Sequence, residues 1–222
     1  MFERYAAPHF EEGSYVLEIG PDGNPSSYRR ALNGMALKWE TAELDDSVLP
    51  DSSDGWHPIL NEPTYPMLDE YEIPAADQTF DVVLAGNVIE HVRRPWRWLP
   101  ELARVAKPGG KVILVAPISW PYHPAPYDCW RIYPDGMRAL CDEAGLEVVD
   151  CHFESLELLP SRRSYPAVGY DWINRGGVPE SRWKKRLKGL IGWPVPTAID
   201  IVVIARTRTD RAEALDAVGL SD

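Results

Sequence analysis

An apolar strand that breaks directly into a tight, glycine-bearing turn limits what this 222-residue chain can fold into. Tyr15-Val16-Leu17-Glu18-Ile19 is followed at once by Gly20-Pro21-Asp22-Gly23-Asn24-Pro25. In an α/β domain such a turn leaves little side-chain bulk beside the backbone, so a nucleoside-bearing ligand can come close to the carboxyl end of the strand. The turn lacks the Lys-Ser or Lys-Thr pair of a phosphate loop, and it lacks the third glycine of a dinucleotide fingerprint. Asp22 would repel a pyrophosphate. A phosphate-free, cationic ligand fits this turn better.

The rest of the chain alternates short β-branched runs with helical stretches, the pattern of a doubly wound sheet. Strands are expected near 15–19, 36–42, 80–85, 111–116, 146–153 and 199–206, with a short one near 64–68. Helices are expected over 26–33, 95–106 and 134–144, the second stopped by Lys107-Pro108-Gly109. The fold class is therefore α/β, as one domain over 1–222. A polar loop insertion at 45–66 and an aromatic insertion at 161–196 interrupt the pattern. The second carries Tyr165, Tyr170, Trp172 and Trp183 and reads either as a lid or substrate wall or as a helical cap. The second strand runs out at Glu43, an acid placed to accept both hydroxyl protons of a ribose. Asp69-Glu70 forms an acidic turn ahead of the strand Phe80-Asp81-Val82-Val83-Leu84.

In order and spacing, these elements resemble the class I S-adenosylmethionine-dependent methyltransferases over roughly residues 14–206. The resemblance is carried by the Glu-x-Gly loop, the acid after the second strand, the Asp-rich approach to Phe80-Asp81-Val82-Val83, Ile89-Glu90-His91-Val92, and Lys-Pro-Gly-Gly before the fifth strand. It implies a Rossmann-like, mostly parallel seven-stranded sheet with helices on both faces, and S-adenosylmethionine as cofactor with S-adenosylhomocysteine as product. It also places Glu18, Gly20, Asp22, Gly23 and Asn87 around the cofactor, Glu43 at its ribose, and Asp69 and Glu70 near its adenine edge. Asp22 and Asn24 stand where the family's second and third loop glycines usually fall, so the loop groups that face the methionine end stay open. The stretch from His123 to Met137, followed by Glu143-Ala144-Gly145-Leu146, looks like the subgroup found with glycan and secondary-metabolite enzymes.

Within that resemblance, the acceptor is a hydroxyl of a sugar or glycosylated small metabolite. Removing its proton calls for a general base, and imidazole suits neutral pH. His123, oriented by Asp128, is the favoured base and His91 its rival; either is also readable as a structural histidine. Trp120, Tyr127, Trp130, Arg131 and Tyr170 are the candidate acceptor contacts, although Trp130 is equally readable as core. Asn87, Glu90 and His91 partly match the Glu-x-x-Glu-His segment of metal-assisted ubiquinone-biosynthesis O-methyltransferases. Asparagine replaces the first acid, which disfavours a hard divalent cation, so no metal is assigned. An N- or C-methyltransferase and a noncatalytic cofactor-binding protein are the competing readings.

Composition narrows the partners. The formal net charge of -11 opposes general attraction to nucleic-acid phosphates. The single basic run, Arg182 to Lys188, reads as the solvated face of an amphipathic helix. No signal peptide and no membrane-spanning stretch is expected, and three scattered cysteines point to a reduced, cytoplasmic protein. The pattern leaves a homodimer open.

Overall fold

The computed structural model describes residues 1–48, 63–120, 122–124, 126–154 and 200–208. They build one seven-stranded sheet from β1 (Tyr15–Ile19), β2 (Lys38–Leu44), β3 (Tyr65–Met67), β4 (Phe80–Gly86), β5 (Ala106–Pro117), β6 (Leu146–Glu154) and β7 (Asp200–Thr207). The strand order is β3-β2-β1-β4-β5-β7-β6. All neighbours run parallel except β7, which is antiparallel to both β5 and β6. The order reverses between β1 and β4, and in open α/β sheets that switch point is where ligands bind.

Alternation along each strand divides its side chains between two cores. On one face Leu17, Ile19, Val83, Ala85, Val112 and Leu114 pack with α2 (Pro95–Val105) and α3 (Pro134–Glu143), through Trp98, Leu99, Leu102, Met137 and Cys141. On the other face Val16, Val82, Leu84, Ile113, Val115, Val202 and Ile204 meet Phe2, Ala6, Phe10 and Leu32, beside α1 (Ser27–Ala31). Helices therefore cover both faces, as the alternating pattern predicts.

Two features depart from the sequence expectations. The amino-terminal residues fold into a π-helical turn at Phe2–Ala6 and a 3-10 turn at Ala7–His9, which close the second core. Their apolar positions at 2, 6 and 10 follow a helical spacing that the sequence reading left unused. The Lys107-Pro108-Gly109-Gly110 turn is also continuous with β5, where the register against β4 shifts between Phe80 and Val82. Gly109 has φ 73°, and a Cβ on Gly110 would stand 2.8 Å from the Lys107 carbonyl oxygen, so the turn needs both glycines.

Most of the 45–66 insertion, and all of the 161–196 insertion with Tyr170, lie outside the described residues. Among the described residues no helix is long and apolar enough to cross a membrane.

Phe10 is 5% exposed and stacks on Trp39 with ring centroids 6.1 Å apart. Phe10→Ala is expected to lower the unfolding free energy in urea by about 3–5 kcal/mol, whereas Val149→Ala on the exposed side of β6 changes it by less than about 0.5 kcal/mol. Equal, negligible effects would mean that the amino-terminal turns are not part of the core.

Candidate active site

Parallel registration brings three strand ends level. Ile19 lies beside Ala42 on one side and Ala85 on the other, so the turns after β1, β2 and β4 open at the same height. A cavity of about 440 Å³ fills the space above them. That volume lies in the range of pockets that hold small ligands.

Of the residues expected at a cofactor, the cavity brings together Gly20, Asp22, Glu43, Asp69, Glu70 and Asn87, together with His91 and Tyr127 from the expected acceptor side. Gly20 has φ 61°, and a Cβ there would stand 2.8 Å from the Val88 side chain, so only glycine fits both the backbone and the space. Asn87 also has positive φ, at 56°, a region that asparagine tolerates better than most residues. Asp22 accepts from the Ser27 backbone N–H at 2.6 Å and so fixes the entry to α1. Asp69 accepts from Tyr71 N at 2.7 Å in a turn of its own, while Glu70 pairs with Arg93 at 3.0 Å. Arg93 in turn lies over the Tyr127 ring, which ties the acidic turn to the loop after β5 at the cavity rim.

Glu43 is the decisive side chain. It is 6% exposed, lines the cavity, and its Oε2 has no hydrogen-bond partner among the described residues. Burial, and then the nearby Glu18 charge, push its carboxyl up to about 7. An unsatisfied carboxylate oxygen beside a cavity is what the paired hydroxyls of a ribose would complete.

Glu18 sits elsewhere than the sequence placed it. Strand alternation turns it to the second core, where its Oε2 accepts from Ser26 Oγ at 2.6 Å and Trp39 Nε1 at 2.9 Å. It lies outside the cavity lining and braces the turn from beneath. Gly23 is also outside the lining, and a Cβ there would make only ordinary contact, 3.6 Å from the Pro25 carbonyl oxygen.

The expected acceptor side is the loop after β5, which docks on Glu90. Cys129 N and Trp130 N both donate to the Glu90 carbonyl, at 2.7 and 3.2 Å. His91 Nδ1 contacts the Tyr127 carbonyl oxygen, and the His91 and His123 rings meet edge to face at 5.0 Å. Asp128 Oδ2 accepts from His123 N at 2.8 Å and lies 3.3 Å from His123 Nδ1. Arg131 grips Asp128 with both guanidinium branches, at 2.5 and 2.9 Å, and holds its carboxyl down at about 2. Arg131 also donates to the Trp130 and Trp120 carbonyls, and Trp130 Nε1 donates to Val92 O at 2.8 Å. These two residues fix the loop, and neither they nor Trp120, His123 and Asp128 line the cavity.

Sequence reasoning missed the cavity's apolar walls. Met67, Leu68 and Tyr71 flank the acidic turn on one side, and Tyr28 stands close over Gly86 on the other. The apolar pair Met67-Leu68 directly before Asp69 was the available signal. Tyr28 carried none, since it is placed only by α1 folding back over β4.

The Gly20 geometry gives a direct check. Gly20→Ala is expected to reduce stability by about 1–2 kcal/mol, read from thermal unfolding, because alanine resists this backbone region and its methyl group meets Val88. An unchanged melting temperature would mean that the turn does not hold the conformation described.

Comparison with known proteins agrees with this geometry. Residues 57–114 match the family model described as "Methyltransferase domain". An uncharacterized methyltransferase of Mycobacteroides abscessus is 34% identical over 104 residues, covering 46% of this chain and 39% of that protein. One of Mycobacterium tuberculosis is 32% identical over 114 residues, covering 50% of this chain and 42% of that protein. The match thus spans about two fifths of the length of these relatives. Among solved structures, a SAM-dependent methyltransferase from Archaeoglobus fulgidus superposes with TM-score 0.55 at 17% identity, over 93% of this chain and 91% of that one. The Burkholderia thailandensis 1,6-didemethyltoxoflavin-N1-methyltransferase, solved with S-adenosylhomocysteine, gives 0.54 at 12% identity, over 93% and 76%. In strand order the chain shares the fold of these solved methyltransferases, and in sequence it is similar to the methyltransferase domain model over residues 57–114.

Proposed function

We propose that this protein transfers the methyl group of S-adenosylmethionine to a hydroxyl of a sugar or glycosylated small metabolite. The observation that carries the reading is the cavity at the switch point, with Glu43 buried in its wall and one carboxylate oxygen without a partner among the described residues. S-adenosylmethionine supplies a methyl group already activated on a sulfonium, so the protein has mainly to align the acceptor and manage its proton. Glu43 takes the ribose hydroxyls. Gly20 lets the chain run close beneath the nucleoside, and Met67, Leu68 and Tyr71 offer an apolar wall to its base.

On the acceptor side, Tyr127 and His91 border the cavity, with His123 beyond them. The His91–His123 pair has charge of the acceptor proton, and Asp128, fixed by Arg131, aligns His123. Trp120 is 55% exposed on the same loop and offers an aromatic face for sugar carbons. The acidic character of the chain supports a small-molecule acceptor over a nucleic acid. Its three free cysteines are in keeping with a reducing, cytoplasmic setting.

Glu43→Gln is expected to weaken S-adenosylhomocysteine binding by about 10- to 100-fold in calorimetry, the worth of hydrogen bonds to a charged group. The wild-type affinity should also depend on pH. Below about 7 the empty site holds a proton on Glu43 that must leave before both ribose hydroxyls can donate to it. Binding therefore tightens as pH rises through about 7, and the Gln variant flattens that profile. An unchanged affinity in Glu43→Gln would remove this residue from the site.

The transfer itself is checked by mass spectrometry. The protein, S-adenosylmethionine and a panel of sugars, glycosides and phenols are expected to yield a product heavier by one methylene. His123→Ala should slow it by about 10²- to 10⁴-fold while S-adenosylhomocysteine affinity holds. Methylation of amines alone, with turnover intact in His123→Ala, would favour N-methyl transfer instead.

A further inference from the structure

We propose that Glu90, His91 and His123 form a three-ligand site for a divalent transition-metal ion of the zinc class. One ligand atom from each lies within 4.8 Å of the others, at the acceptor side of the cavity that His91 borders. The set differs from the Asn87-centred one considered from sequence. Asn87 is not among the three, and His123 reaches the cluster from the loop after β5. Two imidazoles and one carboxylate are softer than the all-oxygen shell of magnesium or calcium, and three protein ligands leave coordination positions open for an exogenous oxygen.

Glu90 is what calls for an ion. It is 1% exposed, and neither of its carboxylate oxygens has a hydrogen-bond partner among the described residues. A buried carboxyl without hydrogen-bond donors either takes up a proton or needs a counter-charge, and a divalent ion would supply both the counter-charge and the bonds. The nearest cationic side chain on the loop, Arg131, is engaged in its bidentate grip on Asp128.

The histidines are set as ligands usually are. Because the Tyr127 carbonyl oxygen can only accept, His91 Nδ1 must carry a proton, and in the neutral ring Nε2 keeps its lone pair on the side of Glu90. Nε2 stands 3.7 Å from Glu90 Oε1. Two bonds of about 2.0–2.1 Å at a tetrahedral angle put ligand atoms about 3.3–3.4 Å apart, so a closure of a few tenths of an ångström completes the pair. Asp128 Oδ2 stands 3.3 Å and Arg131 Nη2 3.5 Å from His123 Nδ1, and Asp128 also accepts from the His123 backbone N–H, so the pair fixes the place of the His123 ring.

The use of the ion rests on the methyl-transfer reading above, whereas the existence of the site does not. An acceptor hydroxyl bound at an open position would have its pKa lowered, its proton leaving to water. The oxygen lone pair then forms the bond to the methyl carbon as the carbon–sulfur bond breaks and its electron pair stays on sulfur. On this account the histidine pair manages the acceptor proton by holding the ion instead of by taking the proton itself.

The test titrates the chelator-treated, full 222-residue protein with zinc chloride by calorimetry, and with cobalt(II) by visible absorption. The expected result is one saturable zinc site, a cobalt spectrum of low coordination number, and a rise in melting temperature with added zinc. His123→Ala, at a partly exposed position that cannot collapse the core, should weaken zinc binding by at least about 100-fold and abolish the cobalt band. Glu90→Gln should do the same. Wild-type protein without saturable zinc binding, or zinc binding untouched by both substitutions, would overturn the proposal. S-adenosylhomocysteine affinity is measured on the same samples. If it holds while zinc fails, the metal site alone is wrong; if it is absent while zinc binds, the cofactor reading alone is wrong.

Discussion

The parallel seating of β1 between β2 and β4 is the constraint on which everything functional in this molecule depends. With Ile19 level with Ala42 and Ala85, the turns after the three strands start from one plane and diverge around one opening. A shift of one residue in either pairing would turn every side chain to the other face. Leu17 and Ile19 would leave the α2 core, and Glu18 would turn from Ser26 and Trp39 into an apolar layer. The hydrophobic pattern of β1 therefore fixes the position of the cavity as firmly as it fixes the fold.

Three buried carboxylates lie around the turns that frame that opening, only Glu43 in its lining, and each stands in a different state of satisfaction. Glu18 has donors for one oxygen and supports the turn. Among the described residues, Glu43 faces the cavity with one oxygen unpaired, and Glu90 has no donor for either oxygen. Burial pushes all three up to about 7. Groups of this kind are expensive to keep in a folded core, and they persist where a ligand completes them. They also stand apart: Glu43 lines the cavity, and Glu90 lies under the loop that carries His123.

Much of this was legible in the sequence, for identifiable reasons. The strands and helices carried clear periodicities and stops, so Pro95–Val105 and Pro134–Glu143 fall within a residue of the expected spans. Gly20, Glu43 and Asp69 were readable because each stands at the end of a strand or in a turn next to one, where topology alone brings them together. Glu18 belongs to a loop motif in sequence, but the strand alternation turns its side chain to the opposite core. Arg131 and Trp130 look like acceptor contacts in sequence, yet they hold the loop through Asp128 and Val92, and no local pattern announces the long-range Trp130–Val92 bond. The cluster of Glu90, His91 and His123 was hidden for the same reason, since only the docking of the β5 loop on the Glu90 carbonyl brings position 123 to position 90.

The account stands on the cavity at the switch point holding a nucleoside cofactor by its ribose. A crystal structure of the protein grown with S-adenosylhomocysteine addresses this most directly. The predicted result is adenosine density above Gly20, with both ribose hydroxyls within hydrogen-bond distance of Glu43 and the sulfur directed toward His91 and His123. Density for the ligand at another surface, with Glu43 still unpaired, would contradict the account.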